Sequence, residues 1–506
     1  MTTFKQIGVI GSGAMGRGIA QLFASAGVEV LLHDSRSEAI EQALMHNRES
    51  LERAAAKGKI SADGLASTLE RMRAAHTLQE LAGCDLLIEA IVENLEAKQK
   101  LFRELEQLVS RDAVLASNTS SLSITLIASA CEHPQRVAGF HFFNPVTLMK
   151  IVEVVRGERT AAQVIERLSA LARHAGHFAA VTPDSPGFLV NHAGRAYGPE
   201  ALRILAEGIA TPAQIDRILR DCLGFRMGPF ELFDLVGLDI SHAVMESIHD
   251  QFYQDPRYTP SSLVPARLAA GLLGRKTGQG FYRYEEGRVV EDARVELPPV
   301  AINQPFWLDC RDAAMRDKIG AVLSSAGAVL EQGEQPGSNA ICLVTPLGED
   351  ASSAIARRQL PVARSLALET FAGFDRRRVL MRHPGLDANV LAQARQALGA
   401  DGVPVEVIND SPGFIAQRVL ASIVNLGCEI VQRRIVDPAT LDRAVQLALG
   451  YPHGPLGFGD EYGAMNIQQI LQALHDCYQE PRYRLSPWLR RRVQLGLPLT
   501  TAEESA

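Results

Sequence analysis

A histidine and a glutamate twelve residues apart are the first candidates for chemistry. His141 sits in GFHFFNP, at the end of a segment, 137–141, that reads as a strand. Glu153 lies inside the apolar run 151–155. A carboxylate in an apolar strand is costly unless it has a partner, and a histidine is a suitable one. The carboxylate would fix the imidazole tautomer and favour its protonated form. His141 would then be a general base, taking a hydroxyl proton as hydride leaves the same carbon. A purely structural His–Glu pair fits the same spacing, so spacing alone leaves both readings open.

Gly11-Ser12-Gly13-Ala14-Met15-Gly16 is a GxGxxG. Such turns are common, but this one follows a predicted strand (6–10) and opens a predicted helix (16–26). In that setting Gly11 allows the tight turn, Gly13 lets the backbone approach a pyrophosphate, and Gly16 lets the helix pack on the sheet. The helix N-terminus offers free N–H groups to phosphates. Asp34 ends the next predicted strand (28–33), about twenty residues further on, where an acidic side chain accepts from ribose hydroxyls. It would repel a 2′-phosphate, which favours NAD over NADP, although Arg36 nearby works the other way.

The elements that must hold these groups alternate. Strands are expected at 85–90, 113–116 and 137–141, with helices at 36–56, 65–76 and 95–109. That alternation implies a parallel sheet with helices on both faces. Beyond Asp184 the strand signal stops. Ser185-Pro186 and Thr211-Pro212 read as helix starts, each with a capping residue before a proline. Residues 185–284 read as mostly helical.

An internal repeat sets the architecture. DSPGF at Asp184 recurs at Asp410, and the offset then holds without a gap. Pro212 matches Pro438, Asp216 matches Asp442, Gly228-Pro229 matches Gly454-Pro455, and Asp234 matches Asp460. A constant offset over about fifty residues signals a duplicated helical domain. Between the copies, 340–344, 378–382 and 403–408 read as strands, and Arg378-Val379 with His383 echoes Arg136-Val137 with His141. This zone has no GxGxxG. It is either a reduced relic of the first domain or an unrelated linker domain. The expected order is an α/β Rossmann-type domain (1–184), an all-α domain (185–284), a degenerate middle segment (285–405) and a second all-α copy (406–506).

Bulk composition narrows the function classes. The chain has 506 residues, 46% hydrophobic and 22% charged, with a net charge of -7. A general nucleic-acid binder would need a basic footprint. The N-terminus runs straight into a strand pattern, so no signal peptide is expected, and no apolar run approaches bilayer length. The seven cysteines are scattered, odd in number and form no CxxC, which weakens metal and disulfide readings. A reducing cytoplasm is the plain expectation, with no nucleic-acid or membrane partner.

Together the motifs match a family. GVIGSGAMGRGIA, EAIVENLEAK, SNTSSL, GFHFFNPVTLMKIVEVV, DSPGFLVN, GFRMGPFELFDLVGLD and GRKTGQGFYRY resemble the 3-hydroxyacyl-CoA dehydrogenases of fatty-acid β-oxidation, nearly continuously over residues 5–284. The resemblance implies an NAD-dependent oxidoreductase in which His141 and Glu153 are the catalytic dyad. It implies that Ser120 and Asn191 hold the substrate's reacting oxygen, with Ser120 also near the nicotinamide. By the same resemblance, Glu93, Lys98, Asn144 and Lys276 join the glycine loop and Asp34 as cofactor contacts, and Ser50 and Lys57 contact the CoA moiety. A cation such as Lys57 suits a phosphorylated nucleotide tail, although an ordinary solvated helix lysine fits that position as well.

The duplicated helical domain and long middle segment resemble the longer bacterial form of the family linked to phenylacetate catabolism. That form implies 3-hydroxyadipyl-CoA as substrate and the (S)-alcohol as its configuration. A short-chain 3-hydroxybutyryl-CoA enzyme would keep every motif named. Arg195, one turn beyond Asn191, is a candidate for a distal carboxylate, though an ordinary helix arginine is the plainer reading. A hydratase fusion would need a further domain. A non-catalytic NAD or acyl-CoA binding protein is the alternative from another class. The second helical copy carries Gln417 where the first has Asn191, and no upstream counterpart of the Glu153 segment is evident. One active site per chain is therefore expected. In a homo-oligomeric family, the second copy would replace a dimer partner's helical domain.

Overall fold

Short leucine-, valine- and isoleucine-rich runs bounded by capped helices build the N-terminal half. The protein is described from a computed structural model covering residues 4–290 and 299–503. Residues 291–298 of the expected middle segment, and the three residues at each end of the chain, lie outside the described residues. The chain runs β1 (Gln6–Ile10), α1 (Ala14–Ser25), β2 (Glu29–His33), α2 (Ser37–Ala56), α3 (Ala62–Arg71), β3 (Met72–Ala75), β4 (Leu86–Glu89), α4 (Leu95–Leu108), β5 (Val114–Ser117), α5 (Ile124–Ala128), β6 (Val137–Phe142), β7 (Ile151–Arg156), α6 (Ala162–His174), β8 (Phe178–Pro183) and α7 (Val190–Ala193).

These strands form one eight-stranded sheet in the order β3-β2-β1-β4-β5-β6-β7-β8. Every pairing is parallel except β6 with β7. Separate apolar layers, one around Phe23 and Phe140 and one around Phe102 and Leu115, cover it. That explains why β4 and β5 are buried at every position and read, up to their last residues Glu89 and Ser117, as apolar runs rather than alternating ones.

Three local expectations are corrected. The helix expected over 65–76 stops at Arg71, and Met72–Ala75 pairs with β2. The tetrapeptide MRAA has no β-branched residue to announce a strand, so sheet pairing overrides its helical propensity. β8 continues the sheet beyond β7 where no strand was singled out. Ser185-Pro186 opens a turn rather than a helix: Gly187 (φ +71°) and Phe188 (φ +49°) are left-handed, and the helix starts at Val190. Proline suits an early turn position as well as a first helical one.

The chain continues with α8 (Gly198–Ala206), α9 (Pro212–Leu223), α10 (Pro229–Val236), α11 (Leu238–Gln251), α12 (Leu263–Ala269) and a small hairpin, β9 (Tyr284–Glu285) and β10 (Arg288–Val289). Then come β11 (Phe306–Asp309), α13 (Ala313–Ser325), β12 (Ile341–Val344), α14 (Ala351–Arg357), β13 (Ser365–Leu368), β14 (Arg378–Arg382), α15 (Ala388–Leu398) and β15 (Val405–Asn409). It ends in α16 (Ala416–Gln432), α17 (Pro438–Leu449), α18 (Pro455–Tyr462), α19 (Ala464–Tyr478) and α20 (Pro487–Leu495). Thr211 caps α9 through Gln214 N–H, as its sequence signature requires.

β11 to β15 form a second sheet in sequence order, parallel except for β13 with β14. That is the pairing pattern of β4 to β8, so the middle segment is a Rossmann-like sheet without counterparts of β1 to β3. It also corrects two readings. β14 occupies the place of β7, so the echo of Arg136-Val137 in Arg378-Val379 is accidental. The Glu153 strand does have a counterpart, with Val379 at the glutamate's position. The repeat extends to fine structure. Asp184 accepts from Ser123 Oγ (2.7 Å), Ile124 N (3.0 Å) and Thr125 N (2.7 Å). Asp410 accepts from Ala351 N (2.7 Å), Ser352 N (3.2 Å) and Ser352 Oγ. Gly413 and Phe414 repeat the left-handed pair.

The chain divides into two compact units: Met1–His192 with Arg434–Leu449, and Ala193–Arg433 with Gly450–Ala506. In the first, α17 packs on β7 and β8, although it belongs to the second helical copy. In the second, α9 of the first helical copy meets the small sheet: Gln214 donates to Val407 O (3.1 Å), Arg217 pairs with Glu406 (2.8 Å), and Arg377 bridges Asp221 and Glu406. Within that unit the helical copies are tied by Arg418, fully buried and paired with Glu200 (2.6 Å) and Glu207 (2.7 Å). α16 is buried on nearly every face, and its polar side chains Gln417, Arg418, Asn425 and Glu429 each find a partner there. Among the described residues no helix is long and apolar enough to cross a membrane.

Candidate active site

The antiparallel β6–β7 register places His141 directly opposite Glu153. His141 Nδ1 lies 2.5 Å from Glu153 Oε2, and both side chains are buried. The other carboxylate oxygen, Oε1, accepts from Leu189 N (2.9 Å) and Val190 N (2.8 Å). Those donors are aimed by the left-handed turn at Gly187-Phe188, and Phe188 also packs against the imidazole. A carboxylate satisfied in this way is an acceptor for Nδ1–H, so it sets the tautomer and leaves Nε2 as the basic nitrogen.

The loop after β5 carries Ser120. Glu93 Oε1 accepts from Thr119 Oγ1 (2.6 Å), Ser120 N (3.0 Å), Ser121 N (3.1 Å) and Ser121 Oγ (2.9 Å). Burial works the other way, but Lys98 and these hydrogen bonds hold the Glu93 carboxyl below its usual range. Asn191 Nδ2 donates to Ser120 O at 3.3 Å. Asn118, not singled out in the sequence, accepts from Phe142 N (2.9 Å) and ties this loop to the histidine strand. Lys98, expected at the cofactor, is 1% exposed, with Nζ 2.5 Å from Glu89 and 3.3 Å from Glu93.

The glycine loop can be tested for a dinucleotide by the space it leaves. Gly11 has φ +101°, and a Cβ there would meet Ala90 O at 2.4 Å. A Cβ on Gly16 would meet Gly11 O at 1.7 Å. A Cβ on Gly13 would meet no protein atom within 4 Å. Gly11 and Gly16 are therefore needed by the turn and the helix packing, whereas Gly13 borders open space. Gly13 also caps α1 without a side-chain bond, so the first N–H groups, from Ala14 and Met15 onward, are not taken by a capping side chain and suit a phosphate. Asp34 accepts from Ser12 N and Ser12 Oγ, both at 2.9 Å. Although partial burial opposes it, hydrogen bonds from Ser12 and Arg36 N–H hold its carboxyl low, so it presents a charged acceptor.

Beside α1 and α2 lies a cleft of about 800 Å³ that includes Ser50, Lys57 and Asn144. Its lining adds Arg17, Arg53, Lys59 and Lys150 and contains no carboxylate. Single lysines in a sequence give no sign of this convergence; it needs the fold. Of the remaining expected residues, Lys276 belongs to the second unit, where it pairs with Asp239 at 2.6 Å. Arg195 is also in that unit, and burial pushes its guanidinium down to about 10.

The small sheet has no comparable chemistry. Its register puts Glu369 beside Val379, where the large sheet has His141 beside Glu153. Gln417, the counterpart of Asn191, donates to Glu369 at 2.9 Å. A cavity of about 850 Å³ opens at the ends of β11 and β12. It is a poorer candidate despite its size, because neither a glycine loop nor a His–Glu pair adjoins it. Among the described residues no cluster of three metal-ligating side chains occurs.

Comparison with known proteins agrees with this geometry. Residues 6–185 match the model of the 3-hydroxyacyl-CoA dehydrogenase NAD-binding domain. Residues 187–284 and 413–504 both match that of the 3-hydroxyacyl-CoA dehydrogenase C-terminal domain. The chain is 36% identical to 3-hydroxyadipyl-CoA dehydrogenase of Escherichia coli, over 98% of each chain. It is 41% identical to a probable 3-hydroxybutyryl-CoA dehydrogenase of Deinococcus radiodurans, over 55% of this chain and all of that protein. A crystal structure titled 3-hydroxybutyryl-CoA dehydrogenase from Escherichia coli superposes with a TM-score of 0.85 at 34% identity, covering 97% of this chain and 99% of that one.

Proposed function

The chain belongs to the 3-hydroxyacyl-CoA dehydrogenase family, and from that premise we propose that it oxidises (S)-3-hydroxyadipyl-CoA to the 3-oxo thioester at a single site per chain. The observation that carries the reading is the His141–Glu153 pair, fixed in register and saturated by the backbone at 189–190. NAD, when bound at the glycine loop, supplies the acceptor for the hydride that leaves C3. His141 Nε2 takes the proton of the 3-hydroxyl, and in reverse returns it. Glu153 stabilises the imidazolium so formed, as an orienting carboxylate does in other general-base sites. Ser120 Oγ and the Asn191 amide hold the oxygen as it becomes a carbonyl. Asp34 takes the adenosine ribose hydroxyls, and Glu93 and Asn144 complete the cofactor contacts of the first unit.

Ser50 and Lys57 meet the CoA nucleotide in the cationic cleft, where Arg53, Lys59 and Lys150 extend the complement to its phosphates. The chain is placed in the cytoplasm, a compartment that keeps its seven free thiols reduced. The second helical copy takes the part of a partner subunit: α17 packs on β7 and β8 as α9 packs on the small sheet.

The test is NADH formation, followed by absorbance, from 3-hydroxyadipyl-CoA and 3-hydroxybutyryl-CoA on one preparation. A preference for the adipyl thioester supports the proposed substrate. The similarity to a structure titled 3-hydroxybutyryl-CoA dehydrogenase favours a second reading, the short-chain enzyme, and a preference for the butyryl thioester would establish it. No turnover of either would remove the catalytic assignment.

A further inference from the structure

The turn and helix that end the second helical copy carry charge that the proton and hydride steps do not use. A cleft of about 560 Å³ within the second unit is lined by Arg484, Arg490 and His475, with Gln468 and Gln472 of α19 beside them. No carboxylate lines it, in a chain whose net charge is -7. Arg484 and Arg490 are exposed, and among the described residues neither forms an ion pair. Arg482 and Arg492, each two residues away, are buried and paired with Glu200 (3.6 Å) and Glu503 (3.5 Å). Asp476 and Glu480 lie on the same stretch outside the lining, where Asp476 accepts from Gln472 Nε2 (2.8 Å) and Glu480 pairs with Arg203. The backbone that presents Arg484 is fixed: Asn425 of α16 donates to Arg484 O (3.0 Å) and accepts from Ser486 N (2.9 Å).

The first helical copy supplies the comparison. At the offset of 226, Gln472 and His475 match Glu246 and His249 of α11. One residue fewer in the next turn sets the offset to 225, and Pro481-Arg482-Tyr483 matches Pro256-Arg257-Tyr258. Ser261 Oγ accepts from Leu263 N and Ser486 Oγ from Trp488 N, both at 3.3 Å, so the segments share their local geometry too. Arg482, Tyr483, Ser486 and Arg492 are buried, and each keeps the residue type of the first copy. The positions that differ line the cleft: Arg484 stands against Thr259, Arg490 against Pro265 and Gln472 against Glu246. Each exchange moves the local charge one step positive. A cleft lined by one sign of charge concentrates the opposite ion, and guanidinium forks match phosphate oxygens. Gln468 Oε1 is buried and accepts no hydrogen bond, so a ligand with an N–H or O–H donor would satisfy it. The volume is that of a small-molecule site. We propose that this cleft is a second nucleotide site, in which Arg484 and Arg490 take a phosphate and Gln468 meets a donor on the sugar or base. A free nucleotide and the nucleotide end of CoA both carry that chemistry.

The experiment is hydrogen exchange of the full chain, titrated with ADP and, separately, with CoA. It does not rest on the dehydrogenase reading, because exchange is followed without turnover. Slower exchange over 484–495 supports the site: slowing by ADP alone assigns it to free nucleotides, by CoA alone to the thioester carrier, and by both to the shared nucleotide. No slowing there with either overturns the proposal. Segments 11–16 and 50–57 report nucleotide binding at the first unit in the same spectra, so the two are read apart. Arg484→Ala/Arg490→Ala is expected to raise the concentration for half-protection of 484–495 at least about 10-fold, the scale of a hydrogen bond to a charged group. Protection of 11–16 and 50–57 stays as it was. Both side chains are exposed, so the variant keeps its fold. Gln472→Glu, which restores the first copy's charge, raises the half-protection concentration about 2- to 5-fold. Gln468→Leu raises it about 2- to 10-fold through the lost acceptor. A half-protection concentration unmoved in the arginine double variant would overturn the proposal.

Discussion

Glu369→Gln tests whether the place of the dyad in the small sheet has become a structural position. Glu369 is 1% exposed, and Gln417 Nε2 and Phe371 N both donate to its Oε1. Burial outweighs these bonds and pushes the carboxyl up to about 7 from an ordinary 4.5. The sign follows from linkage. The unfolded chain releases its proton near the ordinary value while the folded chain still holds it. The stability tied to that proton is complete below the unfolded value and is lost as pH rises through the folded one. The whole loss is about 3 kcal/mol at 1.36 kcal/mol per pH unit. Most of it falls below neutrality's upper edge, and between about pH 6 and about pH 8.5 the loss is roughly 1.4 kcal/mol. Cys222 and Tyr462 adjoin this group, and burial raises both, Cys222 up to about 12, so neither titrates in that window. Glutamine keeps the shape and removes the titration. The two tryptophans of the chain, Trp307 and Trp488, are buried in the second unit, so their fluorescence in urea reports that unit alone. The glutamine variant is expected to lack the extra pH dependence of about 1.4 kcal/mol. Identical pH slopes for the two proteins would refute the reasoning.

Two further outcomes are expected from the large sheet. His141→Ala lowers kcat about 10²–10⁴-fold, the contribution of a positioned general base, while NADH binding by calorimetry is retained; turnover within a few-fold of the parent would remove His141 as the base. Arg53→Ala and Lys57→Ala each raise KM for the acyl-CoA about 2- to 5-fold at low salt, as loss of one exposed charge contact does. The rise shrinks at high salt through screening. A KM for the acyl-CoA unmoved in the double variant would place the nucleotide elsewhere.

Much of this was legible because it is local. The glycine loop, Asp34 and the capped start at Thr211 depend on neighbours a few residues away, and the structure places them as strand–turn–helix or cap–helix units. The duplicated helical domain was legible because its copies keep one offset. Other features depend on pairing across the chain. Met72–Ala75 is a strand only because β2 lies beside it. Phe306–Asp309 and Ser365–Leu368 are too short to stand out before their neighbours are known. His141 and Glu153 were suspected from chemistry, but only the β6–β7 register brings them face to face, and only the 187–188 turn shows where the second oxygen goes. The cations around the 800 Å³ cleft come from α1, α2 and the segment after β6, and no single stretch of sequence displays them together.

The duplication supplies an argument about chemistry that needs no relative. The two copies of a buried polar position share the same structural duty, so what stays fixed between them is what folding requires. Asp184 and Asp410 each accept two backbone N–H groups and one hydroxyl at the start of a helix. Losing either would orphan those donors at about 1–3 kcal/mol for each one left buried, and both copies keep the aspartate. The left-handed Gly–Phe turn is likewise retained, at Gly187-Phe188 and Gly413-Phe414. The positions that differ are His141 against Glu369, Glu153 against Val379 and Asn191 against Gln417. In the small sheet Glu369 and Gln417 satisfy each other, so a self-sufficient buried polar pair fills that place without any imidazole. Stability alone therefore does not demand a histidine there. What the large sheet adds at those three positions, and the small sheet lacks together with the glycine loop, is an imidazole, a carboxylate paired with it and an amide beside Ser120, the set that the proposed proton and hydride transfer would use.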